Sequence, residues 1–155
     1  MTQTMPMTRR TATLSMAAAM LLPASSWAAG AAITVHKDPN CGCCSGWVDH
    51  LQASGYAAKV IETADIDAVK KRLGVPADLA ACHTAEVGGY IVEGHVPARA
   101  IAKLLAERPS AKGLAVPGMP AGSPGMGGDP EVYEVILFGP SGNRVFGRFK
   151  GDIEA

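Results

Sequence analysis

Apolar positions recur along this chain at two spacings, and the switches between them mark out its elements. Residues 33–36 form a short β-like run. After it, Cys44, Trp47, Val48 and Leu51 fall at i, i+3, i+4 and i+7, the stripe of a helix packed on a core by one face. Asn40 suits the N-cap of that helix, where its side-chain oxygen accepts from an orphan amide of the first turn. Gly55 suits its left-handed close. Residues 58–61 read as a second strand. Residues 66–73 predict a second helix, capped by Asp65 and stopped by Gly74, with Ile66, Val69 and Leu73 turned inward. Residues 76–81 read as one short turn. Residues 84–87 and 90–93 flank Gly88-Gly89, a two-residue hairpin signal. Pro97 suits the first position of a third helix, which buries Ile101, Leu104 and Leu105 and ends before Pro109.

The order β-α-β-α-β-β-α matches a thioredoxin-like fold, so the expected class is α/β. Residues 110–130 then lose all periodicity, are rich in Gly and Pro, and carry Met119 and Met126. Composition alone makes this a linker, yet a structureless loop of about 20 residues inside a compact domain is usually functional or disordered. Residues 132–138 and 143–149, joined by Gly139-Pro140-Ser141-Gly142, predict a C-terminal β-hairpin extension of the core. No internal repeat is present.

A length of 155 residues suggests one domain. The first 28 residues have the form of a signal peptide: Arg9 and Arg10, an apolar run over residues 14–22, Pro23, then Ser26-Trp27-Ala28 with small residues at −3 and −1. The apolar run is too short for a permanent span, which takes roughly 20 residues. Ordinary secretion is favoured over twin-arginine export, because Ala12 and Thr13 match the latter poorly. The mature domain is then residues 29–155, in a periplasm-like space. With 14 basic and 14 acidic residues there is no electrostatic case for nucleic acid or an anionic membrane.

Chemistry concentrates at residues 38–51, where Cys41, Cys43 and Cys44 open the first helix. Unpaired amides and the helix dipole there favour thiolate, the form that ligates metals and attacks disulfides. An even cysteine count in an exported chain invites a disulfide framework. However, so close a cluster cannot form two relaxed bridges with Cys82, while Cys41 and Cys44 have the spacing of a redox dithiol. In a thioredoxin-like topology the end of the first strand lies beside the start of the third. Cys82 and His83 therefore face the cysteine turn, where thioredoxins carry a cis-proline before Thr. The last core strand brings His95 to the same side. His36 reads as structural and His50 as solvent-side. Met119 and Met126 offer thioethers suited to Cu(I).

Soft sulfur donors favour Cu(I), zinc or iron–sulfur chemistry. Three thiolates in one turn fit awkwardly around one tetrahedral ion and better as bridges between several Cu(I) ions. The stretches DPNCGCCSGW, ACHTAEVGGYIVEGHVP and GLAVPGMPAGSPGM resemble an exported DUF-type metal-binding family that includes the CopG copper-resistance proteins. That resemblance covers most of the mature chain. It implies a thioredoxin-like fold holding a cysteine-bridged copper cluster on Cys41, Cys43, Cys44, Cys82 and His83, in periplasmic copper handling. The function expected is thus sequestration or redox cycling of copper, in a binding protein first and a copper oxidoreductase second. Its partners would be copper ions and other periplasmic copper-handling proteins. Two competing readings are a thiol–disulfide oxidoreductase using Cys41 and Cys44, and a structural Cys3His zinc site.

Overall fold

The computed structural model describes Met1 and residues 30–155; the signal-peptide reading lies outside the described residues. Strand β1 (Ala32–Lys37) alternates, sending Ile33 and Val35 to one face of the sheet and His36 to the other. Helix α1 (Gly42–Ala53) covers the first face with Cys44, Trp47, Val48 and Leu51, the expected stripe. Its N-cap, however, is Cys41. The Asp38 carboxylate accepts from the Asn40 N–H (2.7 Å) and the Asp38 carbonyl accepts from the Cys41 N–H (3.1 Å), so residues 38–41 are spent on a turn and Asn40 does not cap. Gly55, at φ +90°, follows the helix as its left-handed close.

Strand β2 (Ala57–Glu62) precedes α2 (Ile66–Leu73), where Asp65 caps through Ala68 N–H at 3.0 Å and Gly74 closes at φ +66°. Ile66, Val69 and Leu73 are half-buried, and Lys70 is the helix's buried residue. A single 3₁₀ turn (Ala77–Leu79) leads to the hairpin β3 (His83–Val87) and β4 (Tyr90–Gly94). Helix α3 (Ala98–Glu107) starts one residue later than its proline suggests, with Pro97 as N-cap, and buries Ile101 and Leu104.

The structure departs most from expectation within residues 110–130. These include strand β5 (Gly113–Val116), buried throughout, which pairs parallel with β4 and antiparallel with β6 (Val132–Phe138). A four-residue strand buried on both faces shows neither alternation nor length, so its sequence looked aperiodic. Beyond it the chain is tied by its own backbone bonds, among them Gly122 N–H to Gly127 O (3.1 Å) and Met126 N–H to Ser123 O (2.8 Å). The expected hairpin of β6 and β7 (Arg144–Lys150) is present, followed by a short β8 (Ile153–Glu154).

All strands form one sheet in the order β2-β1-β3-β4-β5-β6-β7-β8. Trp47, Leu51, Ile101 and Leu104 pack on one face with Val35, Val92, Leu114 and Val135. Leu79, Ile91, Ala115 and Phe138 pack on the other, beside Leu73 and Val75. β3 is antiparallel to both β1 and β4, with Lys37 opposite His83 and Thr84 opposite Glu93. The exit of β1, the entry of β3 and the exit of β4 therefore share one sheet edge.

Gly113 is the tightest point of the β4–β5 seam: an added Cβ would lie 1.8 Å from the Ile91 carbonyl oxygen. Because backbone must move to admit it, Gly113→Ala should lower stability by about 1–3 kcal/mol. An unchanged urea midpoint and slope would show that the seam yields freely.

Candidate metal centre

The site grows from three chain segments meeting at that sheet edge. Cys41 caps α1 while Cys43 and Cys44 fill its first turn, and Cys44 is fully buried. Trp47, one turn on, stacks on His83 with ring centroids 4.3 Å apart and donates Nε1–H to the Val96 carbonyl at 2.9 Å. His50 is half-buried, not on the solvent side: its Nε2 accepts from the Ala98 N–H at 3.1 Å, satisfying an orphan amide at the start of α3. Helix α1 thus grips the turn that carries His95. His36 is buried and bonds Glu86 (3.0 Å), on the sheet face opposite Val35, in keeping with a structural role.

Cys41 and Cys44 form a disulfide with Cα atoms 5.4 Å apart, while Cys43 and Cys82 are free. Cys43 Sγ lies 3.6 Å from Cys41 Sγ and 3.9 Å from Cys82 Sγ. Cys82 Sγ in turn lies 3.3 Å from His83 Nδ1 and 3.1 Å from His95 Nε2. Two donor groups result, Cys41–Cys43–Cys44–Cys82 and Cys82–His83–His95, each with ligand atoms within 4.8 Å of one another and sharing Cys82.

Protonation in this centre follows from burial. The Pro124 carbonyl, 2.7 Å from His95 Nδ1, can only accept, so Nδ1 carries the proton and Nε2 turns its lone pair toward the Cys82 sulfur. Burial lowers the pKa of His95, opposed by that carbonyl. Burial, then the neighbouring His95, lowers His83 to about 3, and its Nε2 has no hydrogen-bond partner. Cys82 is pushed up to about 12, first by burial and then by Cys43. The environment of Cys82 therefore keeps its proton on. A soft cation would replace that proton and supply the missing positive charge.

Pro124 and Gly125 close the site, and the two methionines lie on the chain around them. Gly125 presses on α1 so closely that an added Cβ would stand 2.4 Å from Trp47 N and 2.8 Å from the Cys43 carbonyl oxygen. Met126 follows it, half-buried. Met119 lies on an earlier turn, 43% exposed at φ +47°.

Comparison with known proteins places the chain among relatives of similar sequence and fold. A family model described as "Protein of unknown function, DUF411" matches residues 79–126, the stretch holding Cys82, His83, His95 and both methionines. No curated protein matches the chain. Two solved structures named copper resistance protein CopG, forms 2 and 1, are 48% and 49% identical to it, with TM-scores of 0.73 and 0.71. Each alignment covers 77% of this chain and 98% of the CopG chain. The chain belongs to the CopG family.

Some groups around the site of this CopG relative are not visible in its sequence. Beneath Cys82 and His83 lies a buried trio, Lys70, Thr84 and Glu93. Lys70 stands in a run of cations, Lys70-Lys71-Arg72, where only its i+4 offset from the half-buried Ile66 distinguishes it. The Pro124 carbonyl that orients His95 is a backbone group and leaves no side-chain signal.

Two outcomes follow. In the unfolded chain an imidazole binds its proton near 6.5, but folded His83 does so only near 3. Between these values the unfolded chain binds more protons, so metal-free protein should lose stability as pH falls from about 6.5 toward 3, by up to about 1.4 kcal/mol per pH unit. His83→Gln should flatten the slope in urea unfolding, and an equal slope would assign it to other groups. Second, Gly125→Ala should lift the closing segment from α1. Nitrogen NMR of His95 should then show loss of the fixed Nδ1–H tautomer, and an unchanged tautomer would mean the segment is not held by that contact.

Proposed function

We propose that this protein is a periplasmic copper-binding protein, freed of an N-terminal leader, that sequesters or redox-cycles copper through a multinuclear cysteine cluster and so contributes to copper resistance. One observation carries the reading: four sulfurs and two imidazoles from three separate segments converge on one edge of the sheet. Thiolate and neutral imidazole form a soft donor set suited to Cu(I). A thiolate can bridge two Cu(I) ions, spreading the charge of adjacent cysteines over several cations. The kinship with proteins named for copper resistance points the same way. The order β2-β1-β3-β4, with β1 parallel to β2 and antiparallel to β3, supports a thioredoxin-like core extended by β5–β8. Other periplasmic copper-handling proteins are the partners this reading implies.

The Cys41–Cys44 disulfide favours a second reading, a thiol–disulfide oxidoreductase. Cys82 counts against it, because it stands beside the dithiol where a substrate-aligning proline would be. Anaerobic Cu(I) titration of fully reduced protein, with metal quantification, separates the two. The cluster predicts cooperative binding of more than one copper per chain, and a lower number for Cys43→Ser. A wild-type endpoint of one copper per chain, unchanged by Cys43→Ser, would rule the cluster out. Insulin-reduction turnover comparable to a thioredoxin would favour the oxidoreductase.

A further inference from the structure

The carboxylate of Glu93 is fully buried and holds three donors at once. It accepts from Lys70 Nζ at 2.5 Å, from the Ala81 backbone N–H at 2.6 Å and from the Thr84 hydroxyl at 2.6 Å. Lys70 Nζ also donates to Thr84 Oγ1 at 2.9 Å. The two non-ionic grips bracket the metal-centre residues: Ala81 precedes Cys82, and Thr84 follows His83. Gly94 brings Ala81 close to the end of β4, since an added Cβ there would lie 2.7 Å from Ala81 Cβ and 2.7 Å from the Val116 carbonyl oxygen.

Stability alone is a poor account of this arrangement. Desolvating two ions offsets most of their attraction, and well-packed apolar pairs commonly match or exceed a buried ion pair. The same sheet face already carries Leu79, Ile91, Ala115 and Phe138, so an apolar pair would have suitable neighbours. A carboxylate does something that an apolar pair cannot. Its two oxygens fix a backbone amide on one side of Cys82–His83 and a hydroxyl on the other, with Lys70 fixing the carboxylate.

We propose that Glu93, held by Lys70 and gripping Ala81 and Thr84, is the positioning residue of the metal centre, setting Cys82 and His83 against Cys43 and His95 and thereby the strength with which Cu(I) is held. The inference rests on the copper reading above and deepens it. Glu93 touches no sulfur in this account; it acts through the backbone that carries one, as outer-shell groups around metal ligands do.

The test uses the full mature protein, reduced and metal-free at the start. Lys70→Met/Thr84→Val/Glu93→Leu removes both charges of the trio together and leaves only the Ala81 N–H without its acceptor, so the protein should still fold, with a modestly lowered melting temperature. Cu(I) affinity against a competing chelator should fall by about 10- to 100-fold, with a changed thiolate-to-copper charge-transfer spectrum. Affinity and spectrum equal to wild type would overturn the proposal. Should that variant not fold, Thr84→Val and Thr84→Ser replace it. Loss of the hydroxyl should weaken retention several-fold and serine should restore it, whereas equal retention in all three would overturn the proposal. A metal-free readout keeps the two readings apart: the rate of diamide-driven Cys43–Cys82 disulfide formation should drop in the same variants. A wild type that takes up no Cu(I) would sink the copper function, and the cross-linking rate would still decide the positioning role.

Discussion

Trp47 is the contact on which the centre depends. A single indole joins the helix that carries three cysteines to the strands that carry the fourth and the histidines. Its ring packs against His83, its N–H meets the Val96 carbonyl, and its backbone receives the close approach of Gly125. Each contact concerns a different segment, and none of those segments is near α1 in sequence. A large, rigid side chain with one polar handle suits this task, since its apolar body fills the core while its donor is consumed by a specific partner. His50, one turn along, repeats the device by accepting from Ala98 N–H.

That anchoring sets half-buried Cys41, Cys43 and Cys82 beside fully buried Cys44, His83 and His95. Two buried cations stand near, Lys70, which the Glu93 carboxylate neutralises at 2.5 Å, and Lys37, opposite His83, while the Cys82 sulfur meets two imidazoles kept neutral by burial. Burial first, and then the neighbouring Cys43, hold the proton on Cys82 so firmly. Neutral imidazole nitrogens beside a Cys82 thiol that holds its proton firmly make a donor set of soft character. A hard ion, offered no carboxylate or water-rich shell, gains little from it.

How much of this the sequence revealed depended on whether a signal was periodic. The α1 stripe, the Asp65 cap and Gly74 stop, and the Gly88-Gly89 hairpin were all legible because local geometry demands those residues at those spacings. Convergence of Cys82, His83 and His95 on the cysteine turn was legible through topology, since strand directions fix which ends meet. Strand β5 was not, because four residues buried on both faces carry no alternation. Asn40 misled because Asp38 folds residues 38–41 into a turn and the cap position falls to Cys41. Lys70 was hidden among like neighbours, and its meaning rests on Glu93, 23 residues away. Non-local pairs of this kind leave no trace in either member's surroundings.

The disulfide and the metal centre draw on the same atoms, and this links the two functional readings. Closing Cys41 to Cys44 withdraws two of the four sulfurs from ligation, leaving Cys43, Cys82 and the imidazoles. In that state the cluster proposed above would lack the anionic sulfur to bridge several ions. Reduction returns two thiols, and with them the donors for a cluster. Electron count and ligand count are therefore one variable here. Disulfide exchange needs only Cys41 and Cys44. The placement of Cys43 between Cys41 and Cys82, at 3.6 and 3.9 Å, has no use in that chemistry. It has a direct use if sulfur must run continuously from the helix start to the histidines, and that continuity is what distinguishes a metal-holding edge from a dithiol with bystanders.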